Sequence, residues 1–148
     1  MYLILICVVG FLVLLFGFFR IRQLRRRREL EAHSIDADSL RQLMEENADI
    51  LLFDVRQPLD LLAHSEIIPG ARRLPPKEVL HEATLIPKEK ESVIYCTCVS
   101  QSTSRMILER ALELNFTKIK FLKGGLDAWK AKGYPVERYT TPFHLDTA

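Results

Sequence analysis

The residues able to do chemistry concentrate in one stretch, Tyr95-Cys96-Thr97-Cys98-Val99-Ser100-Gln101-Ser102-Thr103-Ser104-Arg105. Cys96 directly follows an apolar run, Ser92 to Tyr95, and precedes a polar loop leading into a segment with helical spacing, for which Ser102, Thr103 and Ser104 are all suitable N-caps. A cysteine between a strand end and a helix start meets unpaired backbone N–H groups and the positive end of a helix dipole. Its pKa is therefore expected to fall and its thiolate to act as a nucleophile. The competing reading is a small, inert residue buried at a strand end. Cys98 puts a second sulfur on the same loop, where it is available to resolve a persulfide or sulfenic acid on Cys96, or to cycle with it as a thiol-redox pair. No metal is expected, because no further cysteine follows and His64, His81 and His144 are scattered instead of set at a ligand spacing. No cofactor is expected either, and a Ser-His-Asp hydrolase finds no G-x-S-x-G elbow.

Positioning such a cysteine requires a parallel sheet with flanking helices, and the pattern from His33 onward supplies one. Ile50 to Val55 is a short, almost wholly apolar run of the kind buried on both faces of a parallel sheet, Ser92 to Tyr95 is a second buried strand and Ile119 to Leu122 a third strand. Between them, helical patterns are expected after a cap at Asp38-Ser39, after Pro58, after Pro75-Pro76, over Met106 to Leu114, and over Leu126 to Lys132, which Gly133 ends. Pro69-Gly70 marks a turn and Ala71 to Leu74 a brief strand. Strands alternating with helices imply βαβ units and an α/β fold, with ligands collecting beyond the carboxyl ends of the strands.

Composition divides the 148 residues unevenly. Met1 to Phe19 carries no charge, includes Cys7, and at about 1.5 Å per residue reaches roughly 28 Å, enough to cross the hydrocarbon core of a bilayer once. Six arginines follow between positions 20 and 28, so the formal net charge of +2 conceals a basic collar joined to a mildly acidic domain. Positive charge packed beside an apolar segment argues against nucleic-acid binding. A cleaved signal peptide is disfavoured, because nothing basic precedes Leu3 and arginines follow the run. The expected organisation is a transmembrane helix over 1–19, a basic stalk over 20–32, one domain over 33–138 and a tail over 139–148. With the arginines on the carboxyl side, the domain is expected to face the cytoplasm, in a single-pass protein of a bacterial inner membrane whose residues 1–28 touch lipid.

Four blocks in order resemble the rhodanese family over about residues 34–138: Asp54-Val55-Arg56 with Pro58 and Asp60; Ile68-Pro69-Gly70-Ala71 with Leu74-Pro75; Val93-Ile94-Tyr95-Cys96; and Gly124-Gly125 with Trp129, Gly133, Tyr134 and Pro135. The resemblance implies a single rhodanese-like α/β domain, a parallel sheet flanked by helices, preceded here by one transmembrane helix. It implies a sulfurtransferase in which Cys96 takes sulfane sulfur from a donor such as thiosulfate or a persulfide and passes it to a thiol acceptor. Backbone N–H groups of the loop Thr97, Cys98, Val99, Ser100, Gln101 and Ser102 would stabilise the charged sulfur. Asp54 and Arg56 are expected to support the site by orienting loops, with Arg105 as a third supporting residue. The loop departs from the family's C-x-x-G-x-R-S: Gln101 stands at the arginine position, no glycine is present, and the first downstream arginine is Arg105. Losing that arginine favours a larger or less charged donor over thiosulfate. Two alternatives stay open, a binding or regulatory module without turnover and a thiol-redox protein using Cys96 and Cys98.

Overall fold

The computed structural model describes residues 2–47, 49–97 and 102–142. The chain divides into two compact units, 1–32 and 33–148. The first is a single helix, α1 (Tyr2–Ala32), so the arginine-rich stalk continues the apolar run without a break. Phe11, Val13, Leu14, Phe16, Phe18 and Phe19 stand exposed along it. Among the described residues no helix is long and apolar enough to cross a membrane. The expected span over 1–19 and the lipid contact expected of 1–28 therefore gain no support there; the side chains of residues 3–7, 9 and 26 lie outside those described.

The second unit is built on a five-stranded sheet of β1 (Ser34–Ile35), β2 (Leu51–Asp54), β4 (Arg72–Arg73), β5 (Ser92–Tyr95) and β6 (Ile119–Leu122), in the order β1-β6-β5-β2-β4. Every pairing in it is parallel, as continuous apolar runs joined by helices require. The crossovers carry α2 (Ala37–Glu46), α3 (Pro58–Ala63), α4 (Pro76–His81) and α5 (Ser102–Glu113), and α6 (Gly125–Ala131) follows the last strand of the sheet. Two further strands, β3 (Glu66–Ile67) and β7 (Glu137–Arg138), pair antiparallel as a separate ribbon. On one face of the sheet Leu52, Val93, Tyr95 and Leu122 pack with Ile35, Leu40, Ile68, Leu126 and Trp129. Alternation turns the intervening residues Phe53, Ile94 and Phe121, also buried, to the opposite face. There α5 packs on β6 and on α4, burying Val79, Ile107, Leu108 and Ala111.

Helix ends follow local chemistry, with one correction to the expected caps. The N-cap of α2 is Asp36, whose carboxylate accepts the Ser39 N–H at 2.8 Å, and the expected Asp38-Ser39 cap lies inside the helix. Asp38 instead holds the end of α6, accepting from the Tyr134 hydroxyl at 2.7 Å and pairing with Lys132. Similarly, α5 begins at Ser102, so Thr103 and Ser104 fall within its first turn. It ends on Asn115, which takes a left-handed φ of 59° while the Phe116 N–H bonds the Ala111 carbonyl at 3.0 Å, a Schellman stop.

Candidate functional site

The strand order reverses direction between β2 and β5: the chain leaves β2 toward β4 on one side and leaves β5 toward β6 on the other. A crevice at the carboxyl ends of these two strands follows from that topology, and Cys96 stands at its head. The β2–β5 ladder runs to the last residue before it, with Asp54 opposite Tyr95 and the Val55 N–H bonded to the Tyr95 carbonyl at 2.9 Å. Cys96 itself is a buried thiol, 2 % exposed.

The strand of Cys96 is tied to a network centred on a buried ion pair, Asp54 and Arg56. Arg56, 0 % exposed, donates through Nε to both oxygens of Asp54, and through its terminal nitrogens to the carbonyls of His64 at 2.7 Å and Glu66 at 2.8 Å. One guanidinium thus binds a carboxylate and two backbone carbonyls, the arrangement a planar five-donor group makes possible. The Tyr95 hydroxyl donates to Asp54 at 3.3 Å and accepts the Ile68 N–H at 3.2 Å. Burial, and next the Asp54 carboxylate, push the Tyr95 phenol well above its ordinary pKa, so it stays a neutral donor at any physiological pH. Arg73 adds a bond from its guanidinium to the Arg56 carbonyl at 3.0 Å. Asp54 and Arg56 therefore hold the loop between α3 and β3 against β2, and Tyr95 couples that assembly to the residue before Cys96.

A second support comes from α6. Its first turn abuts Cys96, with the Leu126 N–H donating to the Cys96 carbonyl at 3.1 Å. Only a glycine fits before it: a Cβ on Gly125, whose φ is +55°, would lie 1.7 Å from the Cys96 carbonyl oxygen. The far end of α6 is fixed by Trp129, fully buried, whose indole N–H donates to the Pro135 carbonyl at 2.8 Å. Tyr134 packs against it with the rings tilted by 53° and their centroids 4.9 Å apart.

On the α5 side, Thr97 is half-buried, Thr103 and Ser104 are buried, and Arg105 is exposed in the first helical turn. The Ser104 hydroxyl has no hydrogen-bond partner among the described residues. The expected loop residues Cys98, Val99, Ser100 and Gln101 lie outside the described residues, as does the Ser102 side chain. Among those described, no group of His, Cys, Asp and Glu is arranged to hold a metal ion. Two contributors, Tyr95 and Gly125, stand in the blocks of family resemblance but were given no role in the site from sequence. For Tyr95 the signal was an aromatic hydroxyl directly after the aliphatic pair Val93-Ile94; for Gly125 it was a second glycine at a helix start, where Gly124 alone would serve as the turn.

Comparison with known proteins agrees with this architecture. Residues 36–132 match the profile of the rhodanese-like domain. A protein described as a sulfurtransferase from Allochromatium vinosum is 31% identical over 104 residues, covering 70% of this chain and 94% of its own. Among solved structures, the rhodanese-like domain of an Anabaena protein superposes with a TM-score of 0.60 at 26% identity, covering 78% of this chain and 89% of that one. A thiosulfate sulfurtransferase from Pseudomonas aeruginosa shares the fold, with a TM-score of 0.61 at 21% identity over 78% of this chain, which spans only 22% of that longer protein. With the profile covering most of the chain and the sequence relative matched nearly end to end, the protein belongs to the rhodanese-like domain family.

Proposed function

We propose that the protein is a membrane-anchored sulfurtransferase that carries sulfane sulfur as a persulfide on Cys96. The observation that carries this reading is the buried Cys96 thiol at the carboxyl end of β5, in the crevice between β2 and β5 and ahead of α5. A thiolate there lies toward the positive end of a 12-residue helix, which favours its charged form. In the first step the Cys96 thiolate attacks the outer sulfur of the donor. With thiosulfate the S–S bond breaks and sulfite leaves with the bonding pair; with a low-molecular-weight persulfide the leaving group is its thiolate. In the second step an acceptor thiolate takes the outer sulfur from Cys96, which departs as a thiolate, so no net electrons are exchanged with the protein. Arg105 is exposed on α5 instead of sitting in the loop, and Gln101 occupies the family's arginine position; both favour a persulfide donor over the thiosulfate dianion.

The anchor is part of the same reading. Its support is the uncharged run through Phe19, the arginine collar that follows on the same helix, and the large exposed side chains of α1, which demand an apolar cover. The collar puts the catalytic unit on the cytoplasmic side, where thiols stay reduced.

The test uses the full chain in detergent micelles. It is incubated with thiosulfate and separately with glutathione persulfide, and intact mass is measured for wild type, Cys96→Ser and Cys98→Ser. A one-sulfur gain that vanishes only in Cys96→Ser is expected, larger with the persulfide. No gain from either donor would refute turnover, and a gain lost only in Cys98→Ser would reassign the nucleophile. Extraction of the protein from membranes by alkali would refute the anchor.

A further inference from the structure

The Cys96 carbonyl points toward α6, away from the α5 side of the site, and it is held there by two features that have nothing to do with the loop. One is the Leu126 N–H, which donates to it at 3.1 Å. The other is the bare α-carbon of Gly125, which leaves the carbonyl no spare room: a Cβ would stand 1.7 Å from the oxygen and 2.9 Å from the carbonyl carbon, whereas real Cβ contacts essentially never fall under 3.0 Å. We propose that Gly125 and the Leu126 N–H are positioning groups for Cys96, so that the first turn of α6 sets how readily the nucleophile ionises. The inference rests on Cys96 being the reactive thiol, and it makes α6 a second determinant of reactivity beside the loop.

The physical argument has two parts. The peptide joining Cys96 to Thr97 contributes the first amide N–H of the loop, and a hydrogen bond accepted by its carbonyl polarises that N–H and strengthens it as a donor toward nearby negative charge. The same bond, with the close glycine contact, fixes the peptide plane and hence the direction of the Cα–Cβ bond of Cys96. Misplacing a reacting group by about 1 Å costs on the order of 10²-fold in rate, and relieving a 1.7 Å contact moves atoms by at least that much.

Gly124 supplies the control. It lies in the same turn with a φ of +71°, and a Cβ on it would meet the Ala128 side chain, leaving Cys96 untouched. Gly124→Ala and Gly125→Ala therefore impose similar backbone strain and differ in whether the nucleophile is pushed.

The experiment titrates Cys96 in the full chain carrying Cys7→Ser and Cys98→Ser, following the ultraviolet absorbance of the thiolate, which needs neither a sulfur donor nor reagent access. Gly125→Ala is expected to raise the midpoint by about one pH unit, a tenfold loss of thiolate below it, while Gly124→Ala lowers thermal stability and leaves the midpoint in place. Equal midpoints in the two variants, shifted or not, would overturn the proposal. Should Gly125→Ala not fold, the otherwise unsubstituted ¹⁵N-labelled chain decides: the Leu126 amide resonance must move with the Cys96 titration, and a stationary one overturns it. Because no donor is present, failure here is distinct from failure to transfer sulfur.

Discussion

Replacing Arg56 by Met tests the buried network most directly. The guanidinium is 0 % exposed and its partner Asp54 1 %, and the substitution keeps the apolar volume while deleting the guanidinium donors to Asp54, the His64 carbonyl and the Glu66 carbonyl. Among the described residues, Asp54 then retains the backbone N–H of position 56 at 3.0 Å and the Tyr95 hydroxyl at 3.3 Å. Stranding one member of a buried ion pair costs about 3–5 kcal/mol. Each orphaned carbonyl adds up to about 1–3 kcal/mol where water does not reach it. A net loss of about 4 kcal/mol is therefore expected, a large part of the roughly 5–15 kcal/mol available to a domain, and for a domain near a hundred residues it lowers Tm by about 15 °C. Urea unfolding of the full chain in micelles measures it, with Trp129, the single tryptophan and fully buried, as the fluorescent reporter. Asp54→Asn in the same background removes the stranded charge, so the double variant is expected to lose about 2 kcal/mol less than the two single losses summed. A loss below about 1 kcal/mol for Arg56→Met, or strict additivity in the double variant, would show that this network does not hold the strand of Cys96 in the way argued.

Two smaller predictions concern the surface of the domain. Asp36→Ala removes the acceptor for the Ser39 N–H and is expected to cost about 1 kcal/mol in the same urea assay. Three exposed carboxyls are held below the ordinary carboxylate range: Asp36 by the Ser39 N–H, Asp38 by Lys132 and then Tyr134, and Glu66 by Lys130. Their folded pKa values lie below the unfolded ones, so the native state binds fewer protons; their contribution is present above about pH 4 and is lost as pH falls through the depressed values. Thermal unfolding measured from pH 7 downward should show Tm steady to about pH 5 and falling below it, with the fall reduced in Asp38→Asn.

Much of the fold was legible because parallel strands buried on both faces leave short, mostly apolar runs. Ser92 to Tyr95 and Ile119 to Leu122 are strands over those same residues, and the helix after Pro58 starts at that proline. The strands β1, β3 and β7 were not legible, since two residues carry no periodicity and their pairing depends on partners 70 to 87 positions away in sequence, as in Ser34 with Phe121 and Glu66 with Arg138. The cap at Asp36 was missed for a related reason: Asp36 and Asp38 are equally good acceptors in sequence, and Asp38 is claimed by Tyr134 and Lys132 from across the fold.

The site divides along the same line. Sequence alone put Cys96 at a strand end ahead of a polar loop and a helix start, because hydrophobic run length and capping residues are local properties. It also fixed the charge pattern, the absence of the family's loop arginine and the four blocks of family resemblance. What surrounds Cys96 was decided only by tertiary structure. Arg56 reaching the His64 and Glu66 carbonyls, Tyr95 bridging β2 to Ile68, and α6 bracing the Cys96 carbonyl from 29 residues downstream all depend on the strand order β1-β6-β5-β2-β4. A hydrogen bond or a steric limit between distant residues exists only once the chain has brought them within about 3 Å, and no local pattern encodes that distance.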